Sequence, residues 1–185
     1  MKKILTACAL AAAALTAAPV FAQGYVGVGV GSSKISGFDN GTITGGNTSK
    51  GMAKIYGGFQ FTPNWGVEAQ YSDLGKRDVT NAGVVAGSFT TSQFSIAGTG
   101  TLPLSSGFSL LGKLGVSANR VNAPAGAFNN SNNTSALIGI GAAYNITPVL
   151  SVRVEYEDFG KVAIAAANGS TVRANGYSIS LKYGF

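Results

Sequence analysis

The chain has 185 residues, a length that suits one domain of ordinary size. Charged residues make up 11% of it, against ~25% in typical soluble proteins, and 27 residues are Gly. The sequence has no His, which removes the commonest general base, and its single Cys excludes thiolate metal cages and disulfide frameworks. These counts argue against a His-dependent hydrolase and against a zinc protein.

The first 22 residues form a segment of their own. Lys2 and Lys3 precede an apolar stretch, and the segment ends at Ala22 with small residues where a signal peptidase reads. This pattern predicts a secretory signal peptide over residues 1–22, cleaved after Ala22, and a single mature domain over residues 23–185. Because Cys8 lies in the segment that is removed, we expect a mature chain without a thiol.

Beyond residue 22, apolar residues alternate with polar or small ones in eight successive segments. The segments run over residues 26–31, 53–61, 65–72, 93–102, 108–119, 138–144, 150–157 and 177–185. A period of two over such lengths indicates β-strands that have one apolar and one polar face. No apolar run after residue 22 reaches the ~18 residues that a transmembrane helix needs.

The connections between these segments alternate in length. Short ones cover residues 62–64, 103–107 and 145–149, whereas the long ones, rich in Gly, Asn, Ser and Thr, run from Gly37 to Lys50, Leu74 to Ser88, Arg120 to Asn133 and Gly160 to Val172. Short and long connections therefore fall at opposite ends of an up-and-down sheet, as in outer-membrane barrels. The sequence predicts an all-β fold, an eight-stranded antiparallel up-and-down transmembrane β-barrel with short periplasmic turns and four long external loops.

The charged residues of the strands decide which face points inward. Those on the polar face are Lys54, Glu68, Lys113, Arg153, Glu155, Glu157 and Lys182. A Lys or Arg at the midplane of the lipid-facing side would cost roughly 2–4 kcal/mol, so the charged face is expected to line the interior. An eight-stranded barrel is just wide enough for side chains to fill, and we expect these seven residues to form a buried ionic network there.

Basic residues also collect at or near the ends of the strands that carry long loops. They are Lys34, Lys50, Lys76, Arg77, Arg120, Lys161 and Arg173. A cationic rim in this place would bind the phosphorylated lipopolysaccharide of an outer leaflet, and the alternative is that surface loops carry charge for solubility. Aromatic residues flank the short turns, and Tyr71, Tyr156 and Tyr177 lie nearer the loops, as expected for two interfacial belts.

The chain resembles the OmpA-type eight-stranded outer-membrane barrels and related small surface antigens. The residues that carry the resemblance are those at 54–61 and 65–69, Gly112 to Ser117, and Leu150 to Gly160. The final segment, with Tyr183 and Phe185, is similar to the terminal assembly signal of that family. The resemblance implies contact with the outer-membrane barrel assembly machinery during insertion.

The resemblance also bears on the barrel interior. It implies a polar network to which Glu68, Lys113 and Arg153 match, together with Glu155. In the sixth segment, Leu137, Gly139 and Gly141 stand on the face where the family has a carboxylate, which argues against a salt-bridge gate that swaps partners. We expect no peptidoglycan-binding domain, which larger members carry after the barrel.

The predicted function is that of an integral outer-membrane barrel with a structural or surface-interaction role. It is expected to be a monomer that contacts outer-membrane lipid and lipopolysaccharide, with an unidentified extracellular ligand at the loops and no nucleic-acid partner. Related small barrels that are enzymes rely on His with Ser or Asp, so neither catalysis nor a cofactor is expected. A narrow passive channel for water or small ions and a soluble lipocalin-like carrier are the alternatives.

Overall fold

The computed structural model describes residues 23–36, 43–44, 49–81, 84–122, 131–163 and 171–185, so the predicted signal peptide lies outside the described residues. The strands are β1 (Gln23–Ser36), β2 (Ile43–Thr44), β3 (Lys50–Gln60), β4 (Trp65–Asn81), β5 (Val84–Pro103), β6 (Phe108–Asn122), β7 (Ser131–Asn145), β8 (Leu150–Ala163) and β9 (Thr171–Gly184). Within these ranges no helix has the length and apolar character to cross a membrane.

Eight long strands close into a barrel. Their order is β4-β3-β1-β9-β8-β7-β6-β5, and β5 pairs back with β4, with every neighbouring pair antiparallel. The two-residue strand β2 pairs with the end of β4, where Ile43 lies opposite Asn81. The predicted eight-stranded up-and-down architecture is confirmed.

The strands are strongly tilted, as their register shows. Starting from Arg153 on β8, we follow the directly paired residue from each strand to the next. The successive partners are Ser180, Gly29, Lys54, Ser72, Gln93, Asn119 and Asn133. The circuit returns to β7 at Asn133, whereas the residue of β7 that pairs with Arg153 is Ala143, ten positions further along the strand. Such a stagger accompanies a strand tilt of about 40°.

The two faces of the sheet have opposite chemistry. Apolar side chains point outward, where Val28 is 58% and Ile140 66% exposed, while the charged Lys113 and Arg153 point inward and are buried. The outward apolar face and the inward charged face both follow from the alternation of side chains along each strand. A soluble carrier would need the apolar face inside, so the lipocalin-like alternative is wrong.

The short turns are held by side chains as well as by the backbone. The Thr62 hydroxyl accepts hydrogen bonds from the backbone N–H groups of Asn64 and Trp65, at 3.3 and 2.9 Å. In the turn between β7 and β8, the Thr147 hydroxyl accepts the corresponding bonds from Val149 and Leu150 at the same distances. These turns hold the strand pairs in register at this end of the barrel.

The strands reach further at the other end than the sequence predicts. The prediction of a long loop from Leu74 to Ser88 is wrong, because β4 continues to Asn81 and β5 starts at Val84. The predicted loops at 37–50, 120–133 and 160–172 also lose residues to strands. Apolar alternation ends before the strands do, a pattern expected where both faces of a sheet meet water and only backbone pairing continues.

A 15-residue segment occurs twice in the barrel. Residues 62–76 and 147–161 share Thr, Pro, Val, Tyr, Asp, Gly and Lys at the same positions. Each copy ends in a bulge, where the backbone N–H of Gly75 or Gly160 donates to the carboxylate of the Asp two residues earlier, at 2.9 Å. Both glycines have positive φ, 81° and 72°, which favours Gly. Because β4 and β8 lie on opposite sides of the barrel, the two copies face each other across the lumen.

Candidate functional site: the barrel interior and the outer rim

Six charged side chains form one network across the interior. They are Lys54, Glu68, Lys113, Arg153, Glu155 and Glu157, and none is more than 5% exposed. Three of them come from alternate positions of β8, because every second residue of a strand points to the same face. With three cations and three anions, the network is formally neutral.

The ion pairs connect strands that are not neighbours in the sheet. Lys54 of β3 contacts Glu155 and Glu157 of β8, with Nζ–Oε2 distances of 2.7 and 3.0 Å. Arg153 places Nη1 2.8 Å from Glu68 on the opposite strand and Nη2 2.7 Å from Glu155. These contacts cross the lumen and tie its walls together.

Lys113 occupies the centre of the network. Its Nζ lies 2.5 Å from Glu68 Oε1, 2.8 Å from Glu155 Oε1 and 3.1 Å from Glu157 Oε1. It also donates a hydrogen bond to the Gln70 side-chain oxygen at 3.2 Å, and the Gln70 amide nitrogen in turn donates to Glu157. A buried ammonium among three carboxylates depends on all of them, since a lone charge at this depth would lack compensation for its lost hydration.

Tyr56 supplies an aromatic wall to the same site. The centre of its ring lies 4.7 Å from Arg153 Cζ and 5.5 and 5.6 Å from the Nζ atoms of Lys54 and Lys113. The ring fits because β1 carries Gly27 opposite it, where an added Cβ would overlap Tyr56. The small residues of β1 therefore make room for the network, and cation–π attraction supplements its ion pairs.

An apolar layer lies on the loop side of the network. Leu74 and Phe159, from equivalent positions of the repeat, are fully buried, and Met52 and Leu137 are nearly so. The Phe159 carbonyl oxygen accepts hydrogen bonds from the side chains of Ser117 and Asn119, at 2.9 and 3.3 Å, which holds the bulge of β8 against β6. This layer and the ionic network fill the interior at successive levels.

The sequence predicts Lys182 as a seventh member of the network, and the structure places it elsewhere. It points inward near the short turns, half-buried, with Nζ 4.9 Å from the centre of the Tyr25 ring. Among the described residues it has no carboxylate within ion-pair distance. The reason is geometric, because the tilt of the strands moves Lys182 toward the short-turn end, away from Glu155 and Glu157.

Part of the predicted basic rim points outward at the loop end. Lys34, Lys161 and Arg173 are exposed on the neighbouring strands β1, β8 and β9, and Lys161 pairs directly with Arg173. Arg173 Nη2 lies 2.6 Å from the Asp158 carboxylate. On the far side of the barrel, Arg120 is also exposed, and its Nε donates to the Asn132 side-chain oxygen at 3.4 Å.

The other predicted rim residues do not share this position. Lys50, which the sequence analysis assigns to the lipopolysaccharide-facing rim, lies on the inward face of β3 in alternation with the buried Met52 and Lys54 and does not point outward with the others. Lys76 and Arg77 continue β4, but their side chains are outside the described residues. At the loop end, the register of the strands therefore places Lys50 on the inner face of the barrel and the exposed cations described above on its outer wall.

Aromatic side chains mark two levels on the outer wall. Near the short turns, the rings of Phe108 and Tyr144 lie 4.8 Å apart, and Trp65 is 62% exposed beside another of these turns. Toward the loops, Tyr156 and Tyr177 pair across β8 and β9 with ring centres 5.3 Å apart, and the Asp158–Asn175 pair separates them from Lys161 and Arg173. This arrangement suits a bilayer with two polar interfaces.

Tyr25, Tyr56 and Gln70 are interior residues that the sequence analysis does not assign to a site. Tyr25 donates from its hydroxyl to Glu68 at 3.1 Å, and the Tyr56 hydroxyl lies 3.1 Å from that of Ser180. All three lie at inward positions of the alternating pattern of their strands, and this pattern could have identified them as interior residues. The repeat of residues 62–76 at 147–161 could likewise have indicated the two bulges.

Comparisons with known proteins give the same architecture. The solved structure of Neisserial surface protein A is 18% identical, with a TM-score of 0.64, and the match covers 88% of this chain and 97% of that one. The Yersinia pestis protein Ail, solved with the heparin analogue sucrose octasulfate, is 15% identical with a TM-score of 0.59, covering 89% and 99%. OprG from Pseudomonas aeruginosa is 14% identical with a TM-score of 0.59, covering 89% and 95%.

These identities are too low to carry more than the fold. A search among curated proteins finds no match to the chain. The family model described as an outer membrane protein beta-barrel domain matches residues 4–185, which is nearly the whole sequence. The chain therefore belongs to this family of outer-membrane β-barrels.

Proposed function

We propose that the protein is a non-conducting, non-catalytic outer-membrane barrel that is anchored in the outer leaflet and presents its loops at the cell surface. The observation that carries the proposal is the neutral network of six buried charges across the lumen. Ions would have to separate these pairs to pass, and breaking a buried pair is costly. The apolar layer of Leu74 and Phe159 adds a second barrier on the loop side.

Conductance in planar bilayers tests this role. We expect no reproducible open state from the purified protein, and the same result from Lys161→Ala, which removes an exposed cation outside the lumen. An open state of the wild-type barrel whose size changes in Lys113→Ala or Glu68→Ala would favour the passive channel instead. Heat-modified mobility on a gel, expected for a closed barrel, verifies that each sample is folded.

We further propose that the outward cations bind the phosphates of lipopolysaccharide. Lys34 pairs with Asn175, the next outward residue of β9 on the loop side of Tyr177, and the Lys161–Arg173 pair lies beyond it. Tyrosines such as Tyr156 and Tyr177 are typical of the level at which head groups meet the acyl chains. The structure of Ail, a barrel of similar fold, was solved in complex with a polyanion, sucrose octasulfate. That complex supports the proposal that a barrel of this fold binds anions. Each basic residue near an anionic membrane surface contributes about 1 kcal/mol.

Matched charge removals test the lipopolysaccharide contact. Lys34→Gln/Lys161→Gln removes two outward cations and is expected to weaken binding to lipopolysaccharide micelles at least about tenfold at low salt. Lys50→Gln/Lys182→Gln removes the same charge from the inward face and should bind as the wild type does. Equal binding by both double variants would mean that the rim charges serve solubility alone.

Tyr183 and Phe185 support the proposed role of the final strand as an assembly signal. Both are exposed on the outer wall, and the backbone N–H of Phe185 donates to the Gly24 carbonyl at 2.9 Å, where the last strand meets the first. Replacement of Phe185 by Ser is expected to lower the amount of barrel inserted in the outer membrane. Purified Phe185→Ser refolded in detergent should retain its heat-modified mobility, which separates an assembly defect from loss of stability.

A further inference from the structure

A second polar cluster lies at the short-turn mouth of the barrel, and we call it the mouth cluster: Ser151, Lys182 and the Nε of Arg153. Ser151 and Lys182 are direct partners across β8 and β9 on the inward face. Arg153 is the next inward residue of β8. The Cβ atoms of such cross-strand partners are ~5 Å apart, so the three side chains share one region of the wall.

Two hydrogen-bonding groups of the mouth cluster are unused. Ser151 is 2% and Arg153 4% exposed, and within the part of the chain that the structure describes the Ser151 hydroxyl and the Arg153 Nε have no hydrogen-bond partner. The remaining nitrogens of Arg153 are already engaged with Glu68 and Glu155. Buried groups of this kind are rare in folded proteins because each loses its bonds to water, so they indicate a missing partner.

The mouth cluster also carries uncompensated charge. The six-residue network balances its own charges, whereas Lys182 contributes a further interior cation for which the described residues supply no carboxylate partner. Its ammonium group faces the ring of Tyr25, whose hydroxyl proton is directed toward Glu68. The mouth cluster therefore carries excess positive charge.

We propose that the mouth cluster binds one small inorganic anion, which enters from the short-turn side. The Ser151 hydroxyl, the Arg153 Nε–H and the Lys182 ammonium group would donate to it. All three bonds are charge-assisted because the acceptor is an anion, and two of them also join opposite charges. Half-burial of Lys182 leaves an approach from solvent at that mouth. An ordered water could also accept these hydrogen bonds, but its binding would not depend on the concentration of an anion.

Nuclear magnetic resonance of the barrel in lipid nanodiscs tests the proposal. Gluconate is replaced stepwise by chloride, and in a separate series by phosphate, at constant ionic strength. We expect saturating shifts of the Ser151 and Lys182 amide signals with at least one of the two anions, and the series that saturates identifies the anion. Lys182→Gln should raise the apparent Kd at least about tenfold, since it removes a charge-assisted bond. Lys50→Gln, which removes an inward cation at the opposite end of the barrel, should leave the Kd unchanged.

Ser151→Ala provides a second variant that keeps every charge and removes only the hydroxyl. It is expected to raise the Kd several-fold while the spectrum of the remaining barrel stays unchanged. Absence of a saturating shift with both anions would overturn the proposal, and so would equal affinity in the wild type and in Ser151→Ala and Lys182→Gln. A shift that spreads over the loop-end residues alone would place the anion at the outer rim and would equally refute it.

Discussion

Removal of the Lys113 ammonium group should destabilise the barrel more than removal of any exposed charge. Lys113→Met keeps the aliphatic stem and deletes the cation that contacts Glu68, Glu155 and Glu157. Three carboxylates would then face only Lys54 and Arg153. Because both sides of each pair are almost completely buried, solvent does not screen the imbalance, and the free energy of unfolding is expected to fall by about 4 kcal/mol.

A second substitution should restore part of the free energy of unfolding that Lys113→Met loses. Lys113→Met/Glu68→Gln removes one charge of each sign, so the remaining two carboxylates match the remaining two cations. The coupling free energy between the two substitutions is expected to be about 1–3 kcal/mol, as for residues in one buried network. Lys182→Met is the matched control, because it removes an interior cation that has no ion pair in the described structure, and it should cost less than about 1 kcal/mol.

Unfolding by urea in phospholipid vesicles measures these differences. Trp65 is the only Trp of the chain and is exposed on the outward face, so its fluorescence changes when the barrel leaves the lipid. Comparable losses in Lys113→Met and Lys182→Met would refute the reasoning, since only the first breaks ion pairs. A double variant less stable than the sum of the two single losses would refute it as well.

Three further outcomes follow from the packing. Gly27→Val should prevent formation of the heat-modifiable barrel on gels because its side chain would overlap Tyr56, whereas Gly112→Val, with open space around it, should form the barrel normally. Phe159→Ala should lower the free energy of urea unfolding by roughly 3–5 kcal/mol, the usual cost of an aromatic cavity. A spin label at Val154 should be accessible to dissolved oxygen and shielded from water-borne relaxants, and the reverse accessibility would mean that the faces are assigned inside out.

Much of the fold could be predicted from sequence because its main constraint is local. A strand in lipid must place apolar side chains outward, so alternation alone identifies both the strands and their faces. The partners of each charge depend instead on the stagger accumulated around the barrel, which no single segment encodes. Lys54 meets Glu157 only because the tilted strands bring them to one level, and the same tilt removes Lys182 from that level.

The loop end was harder to predict for a related reason. A strand that extends beyond an apolar band is expected to have water on both faces, so its sequence loses the period of two while its backbone pairing continues, as it does at the end of β4. Lys50 shows the consequence for single residues, because its face is set by continuity with Met52 and Lys54 rather than by its own polarity. The bulges at Gly75 and Gly160 further shift the register in a way that alternation does not predict.

The repeat between residues 62–76 and 147–161 limits how alike the two halves can become. Glu68 and Arg153 occupy equivalent positions and meet across the lumen, so a barrel assembled from two identical halves would set like charges against each other at its centre. Two halves that both carry a charge at this position must therefore carry opposite charges there. Exchanging the two residues should preserve attraction, whereas copying either one onto the other position should abolish it.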